Sequence, residues 1–116
     1  MENQKDFMLL FSMPASNQIP TTEQINAMHQ QWGVFIGGIA TQAKLVSTTR
    51  LGFEGKCIDA THSVAENLKL SNNQMISGNM ILKAQDINEA TEIAKGCPVL
   101  KMGGSVEIRN ILPIEA

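Results

Sequence analysis

The sequence predicts an α+β fold in which two helices cover one face of an antiparallel sheet. Three observations carry this prediction. The stretch from Asp86 to Ile111 encodes a capped helix, its stop, a turn and a final strand in direct succession. Residues 7–13 form a continuous apolar run of strand length, and residues 21–43 carry apolar side chains at helical spacing.

Length, charge and cysteine usage exclude several classes of protein. A chain of 116 residues fits one domain, residues 1–116. The net charge of −2 and nine unclustered Lys and Arg residues offer no electrostatic footprint for nucleic acid. No apolar run approaches the roughly 20 residues of a membrane span, and the polar start lacks a signal peptide's apolar middle. Two widely spaced cysteines are typical of a reducing compartment, so we expect a cytoplasmic protein that binds neither nucleic acid nor membrane.

The first strand and the first helix are the clearest elements of the amino-terminal half. The run Phe7–Met13 is apolar at successive positions, which is the pattern of a central strand covered on both faces. Thr21 or Thr22 then caps a helix. Its apolar residues share one stripe: Ile25, Met28, Trp32, Phe35, Ile36, Ile39, Ala40 and Ala43. Three glycines within this helix predict close backbone packing: Gly33, Gly37 and Gly38.

The middle of the chain is less strongly patterned. Residues 44–51 and 56–59 are rich in β-formers, and the glycine cluster 52–55 between them predicts a hairpin. Residues 60–74 are polar, which predicts a loop with at most a short strand near 64–68. Residues 75–85 then read as a longer strand.

The carboxyl-terminal third completes the order of elements. Asp86 and Glu89 form a helix start signal, since an aspartate caps a first-turn N–H and the second acid complements the helix dipole. Gly96 ends this helix, Pro98 prevents its continuation, and the Gly103–Gly104 turn leads into the strand 105–111. The order strand, helix, strand, strand, helix, strand predicts the ferredoxin-like βαββαβ arrangement.

Two helices on one face would leave the other face of the sheet without a cover. In the last strand, Val106 and Ile108 point to one face while Glu107 and Arg109 point to the other. The first strand stays apolar on both faces, so a monomer would expose an apolar patch. We therefore expect a symmetric homodimer that covers this patch and leaves polar side chains near a cleft.

Several motifs along the chain carry a resemblance to a known family. They are Phe7-Met-Leu-Leu-Phe11, Trp32-x-x-x-Ile36, Ala43-Lys-Leu45, Ala90-x-Glu-Ile-Ala-Lys-Gly-Cys-Pro98 and Gly103-Gly-Ser-Val-Glu-Ile-Arg109. Together they resemble the YCII-related family, also called the DGPF-domain family. The resemblance implies a ferredoxin-like fold, a dimeric α/β barrel, and a ligand or active site in a cleft by the dimer sheet.

The chain also departs from that family at its named motif. Glu66-Asn-Leu-Lys69 stands where the family usually has Asp-Gly-Pro-Phe, and Ser77-Gly-Asn79 stands where a Gly-Gly-Tyr usually opens the next strand. Trp32 stands near the histidine of the branch proposed to use a His and Asp pair. That pair does not carry over to this chain.

Few residues are candidates for chemistry. His62 lies three residues after Asp59 and four before Glu66, a spacing that could pair a general base with an orienting carboxylate. Arg50 and Arg109 could bind the carboxylate of a small anion, since a guanidinium is a two-pronged donor. Glu107 shares a strand face with Arg109, and a plain salt bridge is the competing interpretation.

Two functions from different classes remain open. The first is a noncatalytic homodimer that binds a small molecule, which could be an anion. This interpretation is favoured because the sequence has no cofactor loop and no metal signature. The second is a small lyase-, isomerase- or hydrolase-like enzyme that uses His62 with Asp59 or Glu66 for proton transfer and Arg50 or Arg109 to hold an anion. A purely structural dimer is a third interpretation.

Overall fold

The computed structural model describes residues 4–15 and 21–113 of the chain. The elements, in chain order, are β1 (Lys5–Pro14), α1 (Thr22–Thr41), β2 (Leu45–Arg50), β3 (Cys57–Ile58), β4 (Val64–Ala65), β5 (Gln74–Ala84), α2 (Ile87–Ala94), a short 3-10 helix (Pro98–Met102) and β6 (Ser105–Asn110). In these described residues, no helix is long and apolar enough to cross a membrane.

The main sheet has four strands in the order β2-β5-β1-β6, and every neighbouring pair is antiparallel. The fold is therefore α+β with a four-stranded antiparallel sheet and two helices, as the sequence predicts, and this strand order is compatible with a ferredoxin-like arrangement. The strands β3 and β4 form a separate two-stranded hairpin between β2 and β5.

The core lies between one face of this sheet and the helices. Alternate residues of the two central strands are buried there: Phe7, Leu9 and Phe11 of β1 with Met80, Leu82 and Ala84 of β5. Ala90 and Ala94 of α2, together with Cys97 and Val99, close over the same face. From α1 only Ile39 is buried, while Trp32 packs edge-on against Phe11 with ring centroids 5.1 Å apart.

Both helices start where the sequence predicts. The Thr21 Oγ1 accepts a hydrogen bond from the Gln24 N–H at 3.1 Å, and the Gln24 side chain accepts one from the Thr21 N–H at 2.9 Å. The Asp86 carboxylate accepts a bond from the Glu89 N–H at 2.9 Å. The pKa of Glu89 is lowered below its ordinary value, chiefly because its carboxylate accepts a hydrogen bond from the Gln85 N–H and also pairs with Lys44.

The predicted hairpin between residues 44–51 and 56–59 is wrong. In the structure β2 pairs with β5, and the Leu51 N–H extends that pairing by donating to the Ser77 carbonyl at 2.9 Å. The strand β3 pairs instead with β4, across a short turn in which the Asp59 N–H donates to the Ser63 carbonyl at 3.0 Å. An aspartate favours this local turn, and closing a short loop costs little entropy.

The prediction of close packing at the α1 glycines is also wrong. A Cβ added at any of the three would meet no atom within 4 Å, so no neighbouring backbone requires their small size. They are Gly33, Gly37 and Gly38. The helix instead contacts the core through Trp32, Phe35, Ile36 and Ile39.

The structure favours glycine at positions 103 and 104 for two different reasons, backbone conformation at the first and close packing at the second. Gly103 ends the 3-10 helix in the left-handed conformation, with φ of 82°, which favours glycine. A Cβ at Gly104 would collide with the carbonyl oxygen of Ser12 and with the side chain of Val99. The close approach of β6 to β1 therefore depends on glycine at position 104.

We expect opposite effects from the same substitution at two glycines. Gly104→Ala should lower the free energy of unfolding by about 1 to 3 kcal/mol, because backbone must move to admit the methyl group. Gly38→Ala, in the open α1 site, should raise it by up to about 1 kcal/mol. Urea denaturation followed by circular dichroism measures both, and equal effects of the two substitutions would contradict this account of Gly104.

Candidate functional site

The face of the sheet opposite the helices is the largest candidate surface, and we call it the free sheet face. Residues paired directly across neighbouring strands point to the same face of a sheet. The register therefore assigns Met8, Leu10 and Ser12 of β1, Ile76, Asn79 and Ile81 of β5, Ser47 and Thr49 of β2, and Ser105, Glu107 and Arg109 of β6 to this face.

The centre of the free sheet face is apolar. Met8 lies between Ile81 and Arg109, and Leu10 lies between Asn79 and Glu107. Met8, Leu10 and Ile81 are half-buried by their neighbours within the sheet, whereas Ile76 is 52% exposed. A β-bulge between Phe11 and Ser12 changes the register, so Ile76 pairs with Ser12 and joins this face.

Both edges of the free sheet face are polar, and the β6 edge carries the charged residues. The Arg109 Nη1 lies 3.0 Å from the Glu107 Oε2, and both side chains are more than half exposed. The prediction that these two residues share a strand face is confirmed. Nearby, the Ser105 hydroxyl lies 2.6 Å from the Gln74 Oε1, and the Gln74 amide donates to the Gly103 carbonyl at 3.1 Å. An exposed ion pair of this kind contributes at most about 1 kcal/mol, so Arg109 can exchange partners readily.

Arg50 lies apart from Glu107 and Arg109. It ends β2 opposite Gly78, in the same row as Phe11 and Val106, which belong to the helix-covered face. The strands β2 and β6 are the two edges of the sheet, about 14 Å apart at the usual strand spacing. The structure therefore does not bring the two predicted anion-binding arginines together within one copy.

The second candidate region is the long connection between β2 and β5, residues 51–73, which we call the arm. Asp59 organises the tip of its hairpin: one carboxylate oxygen accepts bonds from the Thr61 hydroxyl at 2.6 Å, the Thr61 N–H at 2.9 Å and the Ser63 N–H at 3.1 Å. The Thr61 hydroxyl is the largest of the causes that lower the pKa of Asp59. Asp59 is therefore engaged in shaping the turn.

The predicted pair of His62 with a carboxylate is not formed in the described residues. His62 has a left-handed backbone, with φ of 67°, and its N–H donates to the Asp59 carbonyl at 3.0 Å. Its imidazole makes no hydrogen bond to Asp59 or Glu66, and Glu66 instead pairs with Lys56 at 3.2 Å. The enzyme hypothesis stays a prediction that this geometry does not support.

Among the cavities in the described part of the chain, two shallow ones open to solvent. The first, of about 340 Å³, lies at the base of the arm and is lined by Leu51, Gly52, Glu54, Leu68, Lys69, Met75 and Ile76. The second, of about 370 Å³, lies between α1 and the 3-10 helix and includes Val34, Phe35, Pro98 and Lys101. Neither contains His62, Glu107 or Arg109, so neither coincides with the residues predicted to carry chemistry.

The described part of the chain holds no group of three His, Cys, Asp or Glu side chains that could bind a metal ion. Cys97 is buried in the core, and burial raises the pKa of its thiol to about 11. A thiol with that pKa is a poor nucleophile at neutral pH, so Cys97 serves the core. Cys57 is a half-buried free thiol in β3.

The apolar centre contains residues that the sequence did not mark as a site. The alternation of β1 shows Met8 and Leu10 on one face. The inclusion of Ile76 could not be predicted, because the β-bulge that turns it to this face has no signal in the local pattern. Gln74, which joins β5 to the start of β6, was missed because its partner is 31 residues away.

Comparison with protein-family models gives no match, and comparison with curated proteins gives none either. The resemblance to the YCII-related family therefore stays a prediction.

The lowered pKa of Asp59 predicts a pH dependence of the hairpin tip. The folded pKa is below the ordinary value of 3.8, so the carboxylate stabilises the turn at pH values above 3.8. This stabilisation is lost as the pH falls through the folded pKa. Amide chemical shifts of Thr61 and Ser63, followed by NMR, should titrate together with a midpoint below 3.8, and Asp59→Asn should abolish that titration. A midpoint at or above 3.8 would contradict the role given to Asp59.

Proposed function

We propose that the protein is a small-molecule-binding homodimer in which the free sheet faces of two copies pack together. In this proposal a small anionic molecule binds in the cleft beside the paired sheets, next to Arg109. The observation that carries the proposal is the free sheet face itself, with an apolar centre and a polar edge on a side that neither helix covers.

The apolar centre supports pairing of two copies. Antiparallel sheets commonly keep one face in water, but the side chains on that face are then mostly polar. Here β1 places Met8 and Leu10 on the free sheet face, and β5 adds Ile76 and Ile81. Two sheets can pack face to face at about 10 Å, and a two-fold axis lets the same patch cover itself. The homodimer is also what the resemblance to the YCII-related family implies.

The polar edge supports a ligand of negative charge. Arg109 presents a guanidinium at the border of the apolar centre, and its ion-pair partner in the described residues is Glu107 on the same strand. A second copy packed on the face would remove water from this border and strengthen charge interactions there. A ligand carboxylate would compete with Glu107 for the guanidinium. We propose a cytoplasmic location for this protein, as the cysteine usage predicts.

The pairing of the sheets is tested by Leu10→Glu. A carboxylate at the centre of the face should be tolerated by the fold, since Leu10 is only half-buried, but two such charges facing each other should oppose dimer formation. Sedimentation equilibrium should show a dimer for the unchanged protein and a monomer for the variant. Val34→Glu, on the exposed surface of α1, is the matched control and should stay dimeric. An unchanged protein that is monomeric at micromolar concentration would overturn the homodimer.

The ligand site is tested by titrating the protein with succinate and with inorganic phosphate, using calorimetry. Arg109→Gln should weaken binding at least tenfold, because the charged two-pronged donor is lost. Glu107→Gln should strengthen it, because the competing carboxylate is removed. Lys101→Gln removes an exposed positive charge elsewhere and should change binding little. If Arg109→Gln and Lys101→Gln lowered the affinity for the anion equally, binding would depend on the overall charge of the protein, and the proposed site at Arg109 would be wrong.

A further inference from the structure

The arm carries apolar side chains that are exposed to solvent in the described part of the chain. Phe53 is 72% exposed, Ile58 is 70% exposed and Val64 is 53% exposed. Leu51 and Leu70, at the two ends of the arm, are also exposed. Single exposed apolar residues are ordinary on protein surfaces, but five within 23 consecutive residues are typical of an interaction surface.

The hairpin of the arm has one apolar face. Ile58 and Val64 pair directly across β3 and β4, so their side chains point to the same side. The other pair, Cys57 and Ala65, points to the opposite side. Each strand has only two residues, and an isolated hairpin of this size is marginal in water. Contact with another surface would stabilise it.

The base of the arm joins the free sheet face. The cavity between them is lined by Leu51 and Leu68 from the arm and by Met75 and Ile76 from β5. Ile76 belongs to the free sheet face as well. Ile76 therefore links the free sheet face to the base of the arm, so one partner can contact both.

We propose that the arm of each copy clasps the second copy of the homodimer, with Phe53 and the Ile58–Val64 pair packed against it. This inference rests on the homodimer proposed above. The arm carries little net charge: its three acids, Glu54, Asp59 and Glu66, and its two lysines, Lys56 and Lys69, leave a net charge of −1, and Lys56 pairs with Glu66. Charge repulsion between two such arms is therefore weak, and neither has the basic character that attracts an anionic membrane surface.

The clasp is tested with the double variant Phe53→Ser, Ile58→Ser. Both side chains are exposed in the single copy, so the variant should keep its circular dichroism spectrum. Sedimentation equilibrium should show a dimer dissociation constant raised a hundredfold or more. Val34→Ser is the matched control, since Val34 is 78% exposed on α1, and its dissociation constant should stay within about threefold of the unchanged protein.

Limited proteolysis of the unchanged protein gives a second readout. Trypsin cleavage after Lys56 and Lys69, both in the arm, should be slower above the dimer dissociation constant than below it. Cleavage after Lys101, outside the arm, should not depend on protein concentration.

The outcomes separate the two proposals. If the unchanged protein is a monomer, both the homodimer and the clasp are wrong. If the protein is a dimer, Leu10→Glu dissociates it, and the double variant of the arm dimerises as tightly as the unchanged protein, the clasp is wrong while the paired sheets stand. Arm cleavage that is independent of concentration in a dimeric protein would overturn the clasp as well. Binding of the unchanged protein to vesicles of anionic lipid, lost in the double variant, would assign the arm to a membrane surface instead.

Discussion

The central strand β1 is apolar on both faces, and the two helices can cover only one of them. Antiparallel pairing with β5 and β6 fixes which side chains go inward, because the period of a strand is two. Phe7, Leu9 and Phe11 enter the core, so Met8 and Leu10 must face away from it. The small core and the free sheet face both follow from this division of one strand.

Local signals predicted most of the fold. The caps at Thr21 and Asp86 act through atoms three residues away, and the structure contains both as expected. Pairing between distant segments was harder to predict. The turn at residues 52–55 looked like a hairpin, yet β3 joined β4 because Asp59 closes a tighter turn nearby. The α1 glycines looked like packing sites, although their neighbours could be known only from the tertiary structure.

The candidate site was predicted in part for the same reason. Glu107 and Arg109 are two residues apart in one strand, so the alternation of a strand places them together. Arg50 is on another strand, and β2 has an irregular register between Leu45 and Ser47 that changes which residues share a face. The Asp59 carboxylate accepts hydrogen bonds from the backbone N–H groups of Thr61 and Ser63, so it is already engaged within the turn. Residue spacing alone does not reveal this, and it therefore could not show how His62 lies relative to Asp59 and Glu66.

The turn at Asp59 also bears on how two copies would meet. Its three hydrogen bonds join residues no more than four positions apart, so the tip takes its shape from its own sequence and needs no contact with the sheet. A segment already shaped in this way loses less conformational entropy when it docks than a disordered loop would. Only the tip is shaped in advance, since the two-residue strands β3 and β4 would gain stability from the contact itself. The affinity gained when the arm docks on a second copy would then appear mainly as slow dissociation of the two copies.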